Sequence, residues 1–189
     1  GTEANEAALK LARYKTGRVN VIAFLGSFHG RTMGALAATS SRFVQRRGFG
    51  PMMPGMFHAP YANCYRCPVN LKPDTCQAEC LGFVEDQVLV HLVSPDEVAA
   101  VLVEPIQGEA GVYVPQHGYI KAVEALCRKH NVLLMMDEIQ TGIARTGKML
   151  ASDHENVRPD LLILGKALSG GVFPVSLVLA DDEIMLVIK

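Results

Sequence analysis

Four short apolar runs, Val19 to Leu25, Ala99 to Val103, Val132 to Met136 and Leu161 to Leu164, constrain this chain more than any other feature. Each has the length of a strand and is apolar almost without interruption. A strand with one wet face would alternate instead, so these runs predict strands covered on both sides. Val175 to Ala180 is read as a further strand. Helical patterns fall between them, over Glu3 to Lys15, Thr32 to Thr39 and Gly118 to His130, with a last one from Asp181 to Lys189. In the first, Ala7, Ala8, Leu11 and Ala12 share a face, and Gly17 supplies a stop. Alternation of this kind predicts an α/β fold with a mostly parallel sheet and helices on both faces. Residues 42–82 break the rhythm and read as a long irregular excursion of the sort that carries function or meets a partner, followed by a helix over Ala78 to His91.

The 189 residues are enough for one domain of ordinary size. A formal net charge of -1, with only the short Gln45-Arg46-Arg47 basic stretch, gives no footprint for nucleic acid. No apolar run reaches the roughly 20 residues of a membrane span, so no membrane partner is expected. The chain opens at Gly1 without a Met and stops inside a helical pattern, so both ends read as cuts through a longer protein. Nothing indicates secretion; cysteines are expected reduced and the location cytoplasmic.

In a parallel sheet, ligands sit at the carboxyl ends of the strands. Lys166 lies there, just past Leu161 to Leu164, as either a surface lysine or an amine freed to attack a carbonyl. Asp137 ends the run Leu133 to Met136, as either a turn cap or an anion paired with a ligand cation such as a pyridinium nitrogen. Gly1-Thr2 opens a helix, which suits either an ordinary cap or a bound phosphate. In Ser27-Phe28-His29-Gly30-Arg31-Thr32, Phe28 could stack on a flat ring and Arg31 clamp a carboxylate, or they could be a core ring and a surface charge. His29 reads as a packed ring with no catalytic role. Glu104 and Glu109 bracket a turn that also follows a strand.

Four of the five cysteines, Cys64, Cys67, Cys76 and Cys80, cluster in the irregular excursion. Four thiolates at short spacing could hold zinc or an iron–sulfur cluster, or they could be reduced thiols in an interface loop. The second pair fits a common ligand spacing less well, and no metal site is assigned. Cys127 reads as a small buried apolar residue.

Taken in order, Gly1-Thr2-Glu3-Ala4, Phe28-His29-Gly30-Arg31-Thr32, Glu104-Pro105-Ile106-Gln107-Gly108-Glu109, Asp137-Glu138-Ile139-Gln140-Thr141-Gly142 and Leu164-Gly165-Lys166-Ala167-Leu168-Ser169 resemble the class III aminotransferases. That group includes the ornithine, acetylornithine and 4-aminobutyrate enzymes, and the likeness covers nearly the whole chain. It implies a fold type I large domain over residues 1–189 that binds pyridoxal 5'-phosphate. Lys166 would carry the cofactor and move the proton, with Asp137 at the pyridine nitrogen and Gln140 by the phenolic oxygen. Phe28 would stack on the ring, Gly1 and Thr2 would hold the phosphate, Arg31 would bind a substrate carboxylate, and Glu104 and Glu109 would lie by the substrate.

The implied reaction moves the amine of an omega-amino acid to 2-oxoglutarate, in a homodimer when full length. Alternatives are a racemase or aminomutase of the same fold, and a non-catalytic metal or iron–sulfur module built on the cysteine loop; some 4-aminobutyrate enzymes carry a cluster on a comparable Cys-x-x-Cys. The family is normally more than twice this length, so an N-terminal segment and a C-terminal small domain are expected to be missing. The chain alone is then expected to be inactive.

Overall fold

The computed structural model describes residues 1–188. The chain runs through α1 (Thr2–Thr16), β1 (Asn20–Phe24), α2 (Met33–Ala38), β2 (Met56–Ala59), α3 (Leu89–His91), β3 (Val98–Val103), α4 (Tyr119–Lys129), β4 (Leu133–Asp137), β5 (Leu161–Leu164), β6 (Leu177–Ala180) and α5 (Asp182–Met185). The strands form one sheet in the order β2-β1-β3-β4-β5-β6. All neighbouring pairs are parallel except β5 and β6, which are antiparallel.

The apolar runs become buried strands because successive side chains feed two cores. Val21, Ala23, Ala100, Leu102 and Met135 face one side and pack with Ala4, Ala8 and Ala12 of α1, Ala38 of α2 and Ile184 of α5. Ile22, Phe24, Val101, Val103, Leu134 and Met136 face the other, against Tyr119, Val123 and Cys127 of α4 and against Tyr61, Val84 and Val88. Small alanines spaced four apart let α1 lie close on the sheet, and Gly17, with φ 68°, ends it in the left-handed conformation that favours glycine.

The expected strands and main helices form within one residue of their predicted ends, apart from the sheet's far edge. There β6 starts only at Leu177, two residues inside the predicted run. Four readings need correction. The excursion over 42–82 contains β2, an edge strand of four residues that the surrounding Pro and Gly hide. The helix expected over Ala78 to His91 forms without a gap over 79–91, but it is not a regular α-helix: it passes from a 3-10 turn at Glu79–Leu81 through a π-helical turn at Val84–Val88 into α3. Between β4 and β5, where the spacing from Asp137 to Lys166 leads one to expect a crossover helix, the chain crosses by turns and one 3-10 turn, Ser152–His154, with no α-helix. The last helix stops at Met185, and Lys189 lies outside the described residues.

From β1 the chain moves outward to β2, then returns to place β3 on the other side of β1. This reversal opens a crevice beyond the carboxyl ends of the central strands, where doubly wound sheets bind ligands.

Candidate active site

A cleft of about 260 Å³ opens at that crevice. The nine residues expected to form a site all border it: Gly1 and Thr2 at the start of α1, Phe28 and Arg31 after β1, Glu104 and Glu109 after β3, Asp137 and Gln140 at and just past the end of β4, and Lys166 after β5.

Asp137 is buried and held by three donors. Its Oδ1 accepts the Ile139 N–H at 3.1 Å, and its Oδ2 accepts Asn5 Nδ2 at 2.9 Å. His29 Nδ1 meets the same Oδ2 at 2.8 Å, and because a carboxylate only accepts, that nitrogen donates. The turn-cap reading is met by Oδ1, and the side chain also borders the cleft. Neither Asn5 nor His29 had been expected here. The signal for Asn5 was a polar residue on the alanine face of α1, and for His29 its place directly after a buried strand.

Glu104 is also buried. Its Oε1 accepts the Phe28 N–H at 2.7 Å and its Oε2 the Gly108 N–H at 3.2 Å, so it ties the β1 loop to its own turn. Burial pushes its carboxyl up to about 7. Tyr61 steadies the same turn, its hydroxyl 3.0 Å from the carbonyls of both Glu104 and Pro105. Glu138, fully buried behind the cleft, accepts from the Ala151 N–H at 2.9 Å and the Ser152 N–H at 2.8 Å and so anchors the loop after β4.

Lys166 donates from Nζ to Gln140 Oε1. An amine freed to attack a carbonyl is expected to be partly desolvated, whereas Lys166 is exposed at the rim. Arg31 and Glu109 are exposed as well. The Arg31 guanidinium lies 5.8 Å from the centre of the Phe28 ring. No side chain caps α1, so the N–H groups of its first turn are left for another partner. Glycine is needed at one wall: Gly30 has φ 139°, and a Cβ there would fall 2.1 Å from Thr2 Oγ1 and 2.6 Å from Thr2 Cβ.

The four clustered cysteines are free, and all border one small void beside Tyr119. Burial raises Cys80 to about 11, and Cys127, on α4, to about 12. Among the described residues no group of three or more His, Cys, Asp or Glu side chains is placed to hold a metal ion. No helix is long and apolar enough to cross a membrane.

Comparison with known proteins identifies relatives of this chain. The chain is 45% identical over its full length to the mitochondrial ornithine aminotransferase of Rattus norvegicus, of which it spans 40%. It is 41% identical over 98% of its length to an alanine/serine racemase of Pyrococcus horikoshii, again spanning 40%. Among solved structures, the ornithine aminotransferase of Toxoplasma gondii, described with pyridoxal phosphate at partial occupancy in its active site, superposes at TM-score 0.83 with 41% identity, over the whole of this chain and 41% of that one. An omega-transaminase of Thermomicrobium roseum superposes at 0.91 with 34% identity, over 99% of this chain and 42% of that one. The chain thus spans about two fifths of the length of these relatives. The family model for class III aminotransferases matches residues 1–189, and the chain belongs to that family.

Proposed function

We propose that residues 1–189 are the cofactor-binding large domain of a pyridoxal 5'-phosphate-dependent aminotransferase. The full-length protein would pass the amine of an omega-amino acid of the ornithine, acetylornithine or 4-aminobutyrate type to 2-oxoglutarate. The observation that carries this reading is the pairing of Asp137 with Lys166. A buried carboxylate, fixed by three donors, and a lysine amine from the neighbouring strand border the same cleft.

The residues present fit the cofactor. Three of the roughly four lone-pair directions of a carboxylate are taken at Asp137, which leaves Oδ1 able to accept one further N–H, such as that of a pyridinium ring. The uncapped first turn of α1 offers N–H groups and a dipole to a phosphate. Bound there, pyridoxal phosphate supplies an electron sink for the bond broken at the amine-bearing carbon.

The chain's residues then have distinct tasks. Asp137 would hold the ring nitrogen, Phe28 would cover the ring, and Gly1 and Thr2 would bind the phosphate. Lys166 would carry and return the proton at the reacting carbon, with Gln140 orienting its amine. Arg31 would hold the substrate carboxylate in two parallel hydrogen bonds, and Glu104 and Glu109 would flank the substrate.

Exposed Val112, Val114 and Phe173 support a second copy or further segments covering this end, as expected of a homodimer. The free cysteines support a reducing compartment, the cytoplasm, although the rat relative is mitochondrial.

The test is Lys166→Ala in the full-length protein. Amine transfer should fall to background while phosphate binding persists; turnover near wild type would sink the assignment. The racemase-like relative favours a second reading, racemisation by the same lysine. Loss of optical activity without any 2-oxo acid acceptor would select it.

A further inference from the structure

α2 begins in a way that its own residues do not explain. Thr32 is its N-cap, and a threonine there ordinarily turns its hydroxyl oxygen back to accept the N–H three residues on. That N–H, of Ala35, goes instead to Oε1 of Glu6, half-buried on α1, at 2.9 Å. The same oxygen takes the Thr32 hydroxyl. A carboxylate only accepts, so Thr32 spends its one proton there, and in its bond to Thr2 Oγ1 at 2.8 Å the Thr2 hydroxyl donates.

Gly34 completes the arrangement. It lies within α2, where glycine is a poorer helix former than alanine, and a Cβ there would fall 2.2 Å from Glu6 Oε2 and 2.9 Å from Glu6 Cδ. The helix thus gives up its own side-chain cap and a better helix former, and both losses make room for one carboxylate from α1.

We infer, on the cofactor reading above, that Glu6 is a positioning residue that fixes the phosphate corner of the cleft. Gly1 and Thr2 border the cleft at the start of α1, and Arg31 borders it from the loop that ends at Thr32. Glu6 joins the two. Through Thr32 it holds the Thr2 side chain, and through Ala35 it holds the helix into which the loop leads. Asn5 ties the next part of α1 to the His29 carbonyl at 2.8 Å, which leaves the Thr2 side chain to Thr32 and Glu6. No side chain caps α1, so the N–H groups offered to a phosphate keep their place only as well as this first turn does. A turn set before the ligand arrives needs no rearrangement to bind it.

The test uses the full-length protein freed of cofactor and titrated with pyridoxal phosphate and with pyridoxal. The two differ only in the phosphate, so the ratio of their affinities reads the phosphate corner and cancels a general loss of stability. Glu6→Leu removes both bonds and should lower the ratio about fivefold or more, the scale of one or two hydrogen bonds. Glu6→Gln keeps an Oε1 for Thr32 and Ala35 and should hold the ratio within about twofold of wild type. Gly34→Ala favours the helix, but its Cβ displaces the carboxylate, whose flexible end can move without disturbing the fold. It should lower the ratio as Glu6→Leu does, and it decides the matter if Glu6→Leu fails to fold.

A wild-type ratio in folded Glu6→Leu or in Gly34→Ala would overturn the inference and leave the cofactor reading standing. A Glu6→Gln ratio as low as that of Glu6→Leu would overturn it too, because charge and not position would then be at work. A wild type that binds pyridoxal as tightly as pyridoxal phosphate would count against the cofactor reading itself, and the role of Glu6 would fall with it.

Discussion

The titration of Glu104 offers a direct check on the electrostatics of the cleft. The carboxyl is buried beneath the Phe28 loop, and desolvation is the main cause of its rise from an ordinary 4.5 to about 7; the neighbouring Asp137 adds to the rise. His29 and the N–H groups of Phe28 and Gly108 oppose it without cancelling it. Between pH 4.5 and 7 the folded protein keeps a proton that the unfolded chain has released. The folded state binds more protons, so stability falls as pH rises through this window. Each pH unit of separation is worth about 1.4 kcal/mol, which makes the full cost roughly 3 kcal/mol above neutrality, with about 2.5 of it incurred between pH 5 and 8.

Glu104→Gln cannot ionise and should lack this decline. Its amide nitrogen cannot accept from Gly108, which removes the longer bond, 3.2 Å, at a cost of about 1 kcal/mol that does not vary with pH. The assay is the unfolding free energy of wild type and variant at pH 5 and pH 8, with the carboxyl carbon of Glu104 followed by NMR. The variant should be the less stable protein at pH 5 and should gain on the wild type by roughly 2 to 3 kcal/mol at pH 8. Parallel pH dependence of the two proteins, or a carboxyl that titrates in the ordinary range, would refute the reasoning.

Gly30→Ala would place a Cβ 2.1 Å from Thr2 Oγ1 at a residue with φ 139°; it should cost roughly 2 kcal/mol or more in stability, measured by urea unfolding, and should weaken phosphate binding. Arg31→Lys should raise KM for a carboxylated amino donor several-fold, with little change in cofactor affinity, because an ammonium cannot reproduce the guanidinium fork. An equal loss in kcat/KM for an uncharged amine of similar length would remove the carboxylate role.

Much of the fold was legible because the buried strands are chemically simple. Leu161 to Leu164 has only aliphatic side chains, and its predicted ends match β5 residue for residue. Lys166 and Asp137 stood out as charges directly beyond such runs, and no helix or loop pattern competes with that signal. β2 was hidden for the opposite reason. Its four residues include His58, whose ring reaches the carbonyl of Ala38, and at the sheet edge only one side gains strand pairing. The helix expected over Ala78 to His91 has apolar residues at helical spacing and starts just after the left-handed Ala78, and the packing of Val84 and Val88 in the core accompanies its wider π turn, which spacing alone does not reveal. The exposure of Lys166 was invisible to sequence because it depends on what covers the rim, not on the residues beside it in the chain.

Asn5 shows why part of the site could not be read from spacing. Its neighbours Ala4, Ala8, Leu9 and Ala12 define a face whose purpose is to lie against Ala23, Ala100 and Leu102. A polar residue on that face normally signals a helix boundary or a flaw, because burying an unpaired amide costs roughly 1–3 kcal/mol. The cost is reduced here because α1 crosses the sheet at the carboxyl ends of the strands, where Asp137 and the His29 carbonyl accept both amide hydrogens, although the buried Oδ1 finds no partner among the described residues. One helix thus carries two patterns at once, a packing face along its length and a site at its first turns. The second pattern exists only after β1, β4 and α1 have met. Its sequence trace is a single residue that departs from the first pattern, and such a departure on an otherwise apolar face is the feature by which similar residues can be found.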